Sequence, residues 1–98
     1  MDLILQALAE PRRRDILRLI QRGELSSGEI AAHFDVTRPA ISQHLQVLAA
    51  AGLVSVRRDG TRRLYQAQRE GLRELRQFIE EFWDERLARL KQAAEGEE

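Results

Sequence analysis

Residues 36–52 read VTRPAISQHLQVLAAAG, and the fold turns on what this stretch does. Thr37 is a helix-capping residue, Pro39 is tolerated in a first helical turn, and Val36 with Ile41 has the spacing of a hydrophobic staple. Gly52 marks the stop. Between these signals Ile41, Leu45 and Leu48 recur at helical spacing and predict a core face. Pro39, Ser42, Gln43 and Gln46 fall on another side, counting about 100° per residue. A face that only meets water usually draws on Glu and Lys. Ser and Gln are weaker helix formers, but they both donate and accept hydrogen bonds, as the edges of bases require. The plain alternative is an ordinary surface helix rich in glutamine.

The residues before this helix supply its brace. Ser26 and Glu29 have the capping-box spacing, with Leu25 and Ile30 as staple, so a short helix is expected from Ser27 to about Phe34 carrying Ile30, Ala31 and Phe34 inward. Two helices separated by a turn of about three residues, the second ending in glycine, make a helix-turn-helix over about 27–51. Further upstream, Pro11 opens a helix whose Ile16, Leu17, Leu19 and Ile20 face a core up to Gly23. Arg12, Arg13 and Arg14 stand at its start, where cations oppose the helix dipole, which admits either a phosphate-contacting role or plain solvation. Leu3, Ile4, Leu5 and Leu8 form a first helix that is apolar on much of its surface. It either plugs the core or meets another subunit.

Downstream, Val54 and Val56 alternate, Asp59-Gly60 is a strong turn dipeptide, and Leu64 and Tyr65 follow on a return strand, so 53–67 reads as a hairpin. Its tip gathers Arg57, Arg58, Arg62 and Arg63 around a single carboxylate, Asp59, an arrangement suited to lying along a phosphate backbone or entering a minor groove. A solvated loop is the alternative. From Glu70 to about Ala94 a helix of roughly 36 Å is expected, at about 1.5 Å per residue. Leu72, Leu75, Ile79, Phe82, Trp83, Leu87 and Leu90 form its apolar stripe, widened by Phe78. A domain of this size cannot cover such a helix, and pairing with its own copy buries the aromatic residues most simply. Leu3 and Leu5 join Leu75, Phe78, Ile79, Phe82, Trp83 and Leu87 as the expected dimer surface. The fold class is therefore mainly α with a small β-hairpin, in one domain over 1–98.

Composition narrows the function. Ninety-eight residues suffice for one small domain that gains from association. With no cysteine there is no disulfide, thiolate metal site or cysteine nucleophile. No apolar run approaches the roughly 20 residues of a membrane span, so the cytoplasm is the expected location and no membrane partner is expected. Net charge is zero, yet residues 1–65 hold ten arginines against seven acids, a net of +3, and residues 66–98 a net of −3. The positive part contains the candidate reading helix, and a nucleic-acid binder needs only a basic face. No Ser/His/Asp set, phosphate-cradling glycine loop or paired carboxylates emerge, which speaks against an enzyme.

The segments LAEPRRRDILRLI and GELSSGEIAAHFDVTRPAISQHLQVLAAAGLVSVRRDGTRRLYQ, followed by the long terminal helix, resemble winged helix-turn-helix repressors of the arsenical-resistance (ArsR/SmtB) type over about residues 3–90. The resemblance implies a dimeric transcriptional repressor that binds a palindromic operator in double-stranded DNA. It implies Ser42, Gln43, His44 and Gln46 in the major groove, Thr37 and Arg38 as anchors of that helix, and Arg57, Arg58, Arg62 and Arg63 as the wing. Counting around the helix instead places His44 near Ala40 and Val47, opposite Ser42 and Gln46, where it packs or touches phosphate, so Gln43 ranks above it. Metal sensors of this type carry cysteines in the helix corresponding to 27–34, or carboxylate and histidine ligands along the terminal helix. This chain has Gly28, Glu29, Ile30, Ala31 and Ala32 in the first region and no histidine after His44. No metal or other cofactor is expected, and an effector, small molecule or protein, is left open. A protein-interaction module on the same scaffold is the alternative function.

Overall fold

A computed structural model describes residues 1–96, with the side chains of all but 84–88, 91, 95 and 96. Its three central helices begin where the caps are written. Thr37 accepts from the Ala40 N–H at 3.3 Å and opens α4 (Arg38–Ala50), with Pro39 in the first turn. The Ser26 hydroxyl accepts from the Glu29 N–H at 3.2 Å while the Glu29 carboxylate accepts from the Ser26 N–H at 3.1 Å. This reciprocal box starts α3 (Ser27–Ala31). Pro11 opens α2 (Pro11–Gln21) behind a Glu10 cap, and α1 (Asp2–Ala9) precedes it.

Helix α3 is shorter than its apolar pattern suggested. After Ala31 the chain tightens into three-residue turns, His33 N–H to Ile30 C=O and Phe34 N–H to Ala31 C=O, which use up the last carbonyls before the α4 cap. Phe34 still reaches the core edge. The core itself is built by Ile4 and Ala7 of α1, Ile16 and Ile20 of α2, Ile30 of α3, and Ile41, Leu45 and Leu48 of α4, closed by Leu53 and Val54. All four helices thus turn an aliphatic stripe to one centre, and the opposite side of α4 is left outside.

The expected hairpin is present as β2 (Val54–Asp59) and β3 (Arg62–Ala67), but it belongs to a three-stranded antiparallel sheet. Residues Leu25–Ser26 form β1 and pair with β3, Leu25 opposite Tyr65 and Ser26 opposite Leu64, giving the order β1-β3-β2. Leu25, read as half of a staple, is therefore a strand residue, and Ser26 ends that strand and caps α3 at once. The tip register sets Asp59 opposite Arg62, so the two-residue loop is Gly60-Thr61 rather than Asp59-Gly60. Gly60 takes a φ of +66° there, a conformation glycine adopts without steric cost.

Two backbone contacts set the exit toward the last helix. The Gln68 N–H donates to the Leu53 carbonyl at 2.8 Å, and Gly71 lies against Gly52, whose φ is +75°. A Cβ at Gly71 would stand 2.1 Å from the Gly52 oxygen. Because the chain is pinned at this crossing, residues Arg69–Leu72 form a 3₁₀ turn and the α-helix, α5 (Arg73–Gly96), starts three residues later than expected. Leu75 touches the core, and beyond it α5 runs away from the body, which accounts for extents of 67 × 26 × 23 Å.

Candidate nucleic-acid interface

The outward side of α4 presents Arg38, Pro39, Gln43 and Gln46 exposed, with Ser42 half-buried beside them. Thr37 is also exposed, but its hydroxyl is committed to the cap. Across from this helix the wing bends over an open cleft in which Arg38 and Ser42 of the helix meet Arg62 and Arg63 of β3, with Ser27 and Thr61 between them. Two groups of residues that the sequence separates by about twenty positions thus line one basic surface. The Arg38 guanidinium lies across Gly28, 3.4 Å from where a Cβ would be, so the absence of a side chain in α3 makes room for it. Ser27 and Gly28 are members of this surface that pattern reading passed over, because nothing in α3 itself marks its N-terminal end as facing the wing.

The wing arginines are not equivalent. Arg57 forms a two-pronged pair with Glu24, with its Nε 2.8 and 2.9 Å from the two carboxylate oxygens, and Arg62 pairs with Glu29. The Arg57 hydrogen bonds hold the Glu24 carboxyl below the usual carboxylate range, and Glu24 in turn raises Arg57. Glu29 is held low first by the Ser26 backbone and hydroxyl, with Arg62 adding to it. These two carboxylates, from the β1 and α3 region, tie both strands of the wing to the helix-turn-helix and relieve the crowding of like charge at the tip. Among the described residues Arg58 and Arg63, which stand opposite each other in the register, are in no ion pair and remain available to an external anion.

The arginines at the start of α2 are spent internally. Arg12 sits over the Phe34 ring at 4.9 Å, Arg13 donates to the Ala7 and Gln6 carbonyls, and Arg14 donates to the Leu8 carbonyl at 2.6 Å. Arg13 and Arg14 close the end of α1, where unpaired carbonyls and the dipole favour cations, and all three arginines are half-buried. His44 is half-buried too and contacts Arg13 at 3.3 Å, which agrees with its count away from the glutamine side. Burial first, then the neighbouring Arg13, holds its pKa below the ordinary histidine value, with Glu10 opposing and Arg12 adding.

A second surface lies away from the wing. Phe78, Ile79, Phe82 and Trp83 on α5 are between 52% and 61% exposed, Leu90 is 59% exposed, and Leu3 and Leu5 on α1 are also uncovered. Contiguous apolar exposure on this scale marks an interaction surface. Leu75, grouped with these residues on sequence, is instead half-buried against the domain's own core, one turn from the Gly52–Gly71 crossing. The side chain of Leu87 lies outside the described residues.

A braced second helix, a basic wing and an uncovered terminal helix define a winged helix-turn-helix regulatory protein. Residues 10–56 match the bacterial regulatory protein arsR family. The chain is 45% identical over 92 residues, 94% of its length and 86% of the relative's, to the HTH-type transcriptional regulator Rv2034 of Mycobacterium tuberculosis strain H37Rv. It is 40% identical over 60 residues, 61% of this chain and 67% of the relative, to the transcriptional repressor SdpR of Bacillus subtilis. The homodimeric winged helix-turn-helix DNA-binding domain of Mb0332 from Mycobacterium bovis superposes with a TM-score of 0.68 at 35% identity, covering 88% of this chain and 80% of that one. The chain belongs to the arsR family of bacterial regulatory proteins. Its relatives are transcriptional regulators rather than enzymes, and among the described residues no helix is long and apolar enough to cross a membrane.

Proposed function

We propose that two copies of this chain form a cytoplasmic repressor that occupies a palindromic operator. The supporting observation is the cleft where Arg38 and Ser42 of α4 face Arg62 and Arg63 of the wing. In this reading α4 enters the major groove while the wing follows the adjoining backbone. Gln43 is suited to a bidentate contact with adenine, Ser42 to several base edges, and Gln46 extends the same face, each good bidentate contact being worth about 1–3 kcal/mol of discrimination. Thr37 and Arg38 hold the start of the helix at the strands, and Arg57, Arg58, Arg62 and Arg63 supply affinity that falls with salt.

The stripe of Phe78, Ile79, Phe82 and Trp83, together with Leu3 and Leu5, pairs with its own copy. A two-fold pair then sets the two α4 helices about 34–36 Å apart, one turn of DNA, and predicts an inverted repeat. Occupancy of a promoter blocks polymerase sterically. An effector, small molecule or protein, would act by changing the spacing of the two reading helices.

Selection of bound duplexes from a random pool tests this reading, with an enriched inverted motif as the expected result. Gln43→Ala should erase preference for that motif, whereas Arg63→Ala should weaken binding to the motif and a scrambled duplex alike and lower the salt slope by about one. No enrichment, with equally weak binding to every duplex, would overturn it in favour of a protein-interaction module.

A further inference from the structure

Arg13 stands in the first turn of α2, where its charge opposes that helix's dipole, yet each of its three guanidinium nitrogens has a partner. Nε donates to the Ala7 carbonyl at 2.8 Å, Nη2 to the Gln6 carbonyl at 3.0 Å, and Nη1 reaches Nδ1 of His44 at 3.3 Å. One rigid fork therefore joins the end of α1, the start of α2 and the middle of α4. A lysine has no such fork. Guanidinium nitrogens only donate, so Nδ1 of His44 must offer its lone pair, and the single proton of the neutral ring resides on Nε2.

We infer that Arg13 is a positioning residue for DNA reading, which locks the reading helix to α1 and fixes His44 as the neutral Nε2–H tautomer. The inference rests on the proposed DNA-binding role. Helix α1 carries Leu3 and Leu5 of the self-association surface, so the lock makes that surface and the reading helix move as one body. His44 then contributes by accepting from Arg13 rather than by reading a base. The groups that surround it agree: Arg13 and Arg12 disfavour its protonation and Glu10 opposes them, all three from the start of α2, while α1 turns only carbonyls toward the fork. Protonation at Nδ1 would remove the acceptor and set two cations together. Because its pKa is depressed in the folded chain, the lock is whole above the ordinary histidine value of about 6.5 and is lost as the pH falls through the lower folded value.

Nitrogen-15 spectra of the wild-type imidazoles read the tautomer directly. Nε2 protonated, Nδ1 bare and titration below the ordinary value are expected for His44. A proton on Nδ1, or titration at or above the ordinary value, would overturn the assignment. Binding then tests the role on the duplex that the wild type enriches from a random pool and on its scrambled version, with dimerisation followed by sedimentation. His44→Asn places an amide oxygen near the Nδ1 position, whereas His44→Leu leaves no acceptor. The Asn variant should bind the enriched duplex about tenfold more tightly than the Leu variant, and Arg13→Lys should fall about tenfold below the wild type, the scale of one charged hydrogen bond. Equal loss in His44→Asn and His44→Leu, or wild-type binding by Arg13→Lys, would overturn the positioning role. A wild type that enriches no duplex would sink the DNA-binding role, while the spectra would still decide whether the lock exists.

Discussion

Replacing Gly71 by alanine puts a methyl group where the backbone of Gly52 already lies. The added carbon would stand 2.1 Å from the Gly52 oxygen, 2.5 Å from its carbonyl carbon and 3.0 Å from the Leu53 nitrogen. Carbon atoms rest at about 3.5–4.0 Å, so the two segments must part by about 1 Å. The obstructing atoms are main chain and cannot rotate away. The Gln68 to Leu53 hydrogen bond ties the same two segments together and resists the separation. Overpacking of this kind costs about 1–3 kcal/mol, and the rigid partner places Gly71→Ala at about 3 kcal/mol or above. Gly52→Ala is the internal control. Its φ of +75° imposes about 1–2 kcal/mol of strain on an alanine, but the nearest atom to its added carbon, the Gly71 Cα, is at an ordinary 3.8 Å. Thermal unfolding at one fixed protein concentration should therefore rank Gly71→Ala below Gly52→Ala. The expected fall for Gly71→Ala is roughly 12–24 °C, at about 4–8 °C per kcal/mol for a chain of this size. Since the crossing sets how α5 leaves the end of α4, the same variant should lose operator affinity even when driven to dimerise by concentration. A Gly71→Ala protein at least as stable as Gly52→Ala would refute the reasoning, because it would mean that the crossing yields without cost.

Three further outcomes follow from the same contacts. Ser26→Ala removes the acceptor for the Glu29 N–H and should cost about 1 kcal/mol in urea unfolding, whereas Ser26→Asp, which can still cap, should recover most of it. Trp83 is the chain's only tryptophan and is 57% exposed in one copy, so its emission should shift to the red on dilution as dimers dissociate, and Phe82→Ala should move that transition to higher concentration. Emission that ignores concentration would place Trp83 outside the self-association surface. Glu24 and Glu29 both have pKa values lowered by their hydrogen bonds, so the stability they add is complete above the ordinary carboxylate value of 4.5 and is lost as the pH falls through their folded values. Glu29→Gln can keep the capping box while giving up the charge of the Arg62 pair, and should flatten that acid dependence without abolishing α3.

The parts of this fold that the sequence announces are those whose causes lie within one or two helical turns. Thr37 with Ala40, Ser26 with Glu29 and the Ile41, Leu45, Leu48 stripe each carry their own partner nearby, and the structure has them where the spacing puts them. Strand β1 is different. Two residues cannot show an alternation, and Leu25 becomes a strand residue only because Tyr65 arrives opposite it from forty positions away. The late start of α5 has the same character in part, since Gly71 weakens the helix locally but its meeting with the Gly52 backbone, at the 3₁₀ turn of residues 69–72, is brought about by the fold.

The arginines show how the same limit falls on the interface. Composition counts ten of them before residue 66 and invites all to the phosphates, but a guanidinium goes to whichever acceptor the fold brings near. Arg13 and Arg14 meet the open carbonyls at the end of α1, Arg12 meets the Phe34 ring, and Arg57 and Arg62 meet carboxylates 33 positions away. On the cleft and wing, what remains uncommitted is Arg58 and Arg63, with Arg38 lying across Gly28. In the proposed complex the internal pairs would serve binding indirectly, because a wing tied at Glu24 and Glu29 would lose little freedom on settling on a strand, and ordering that is complete before association is not charged against it. On this view Arg58 and Arg63 should contribute more to the sensitivity of binding to salt than Arg57 and Arg62 do, and the sensitivity to acid should follow the tied ones.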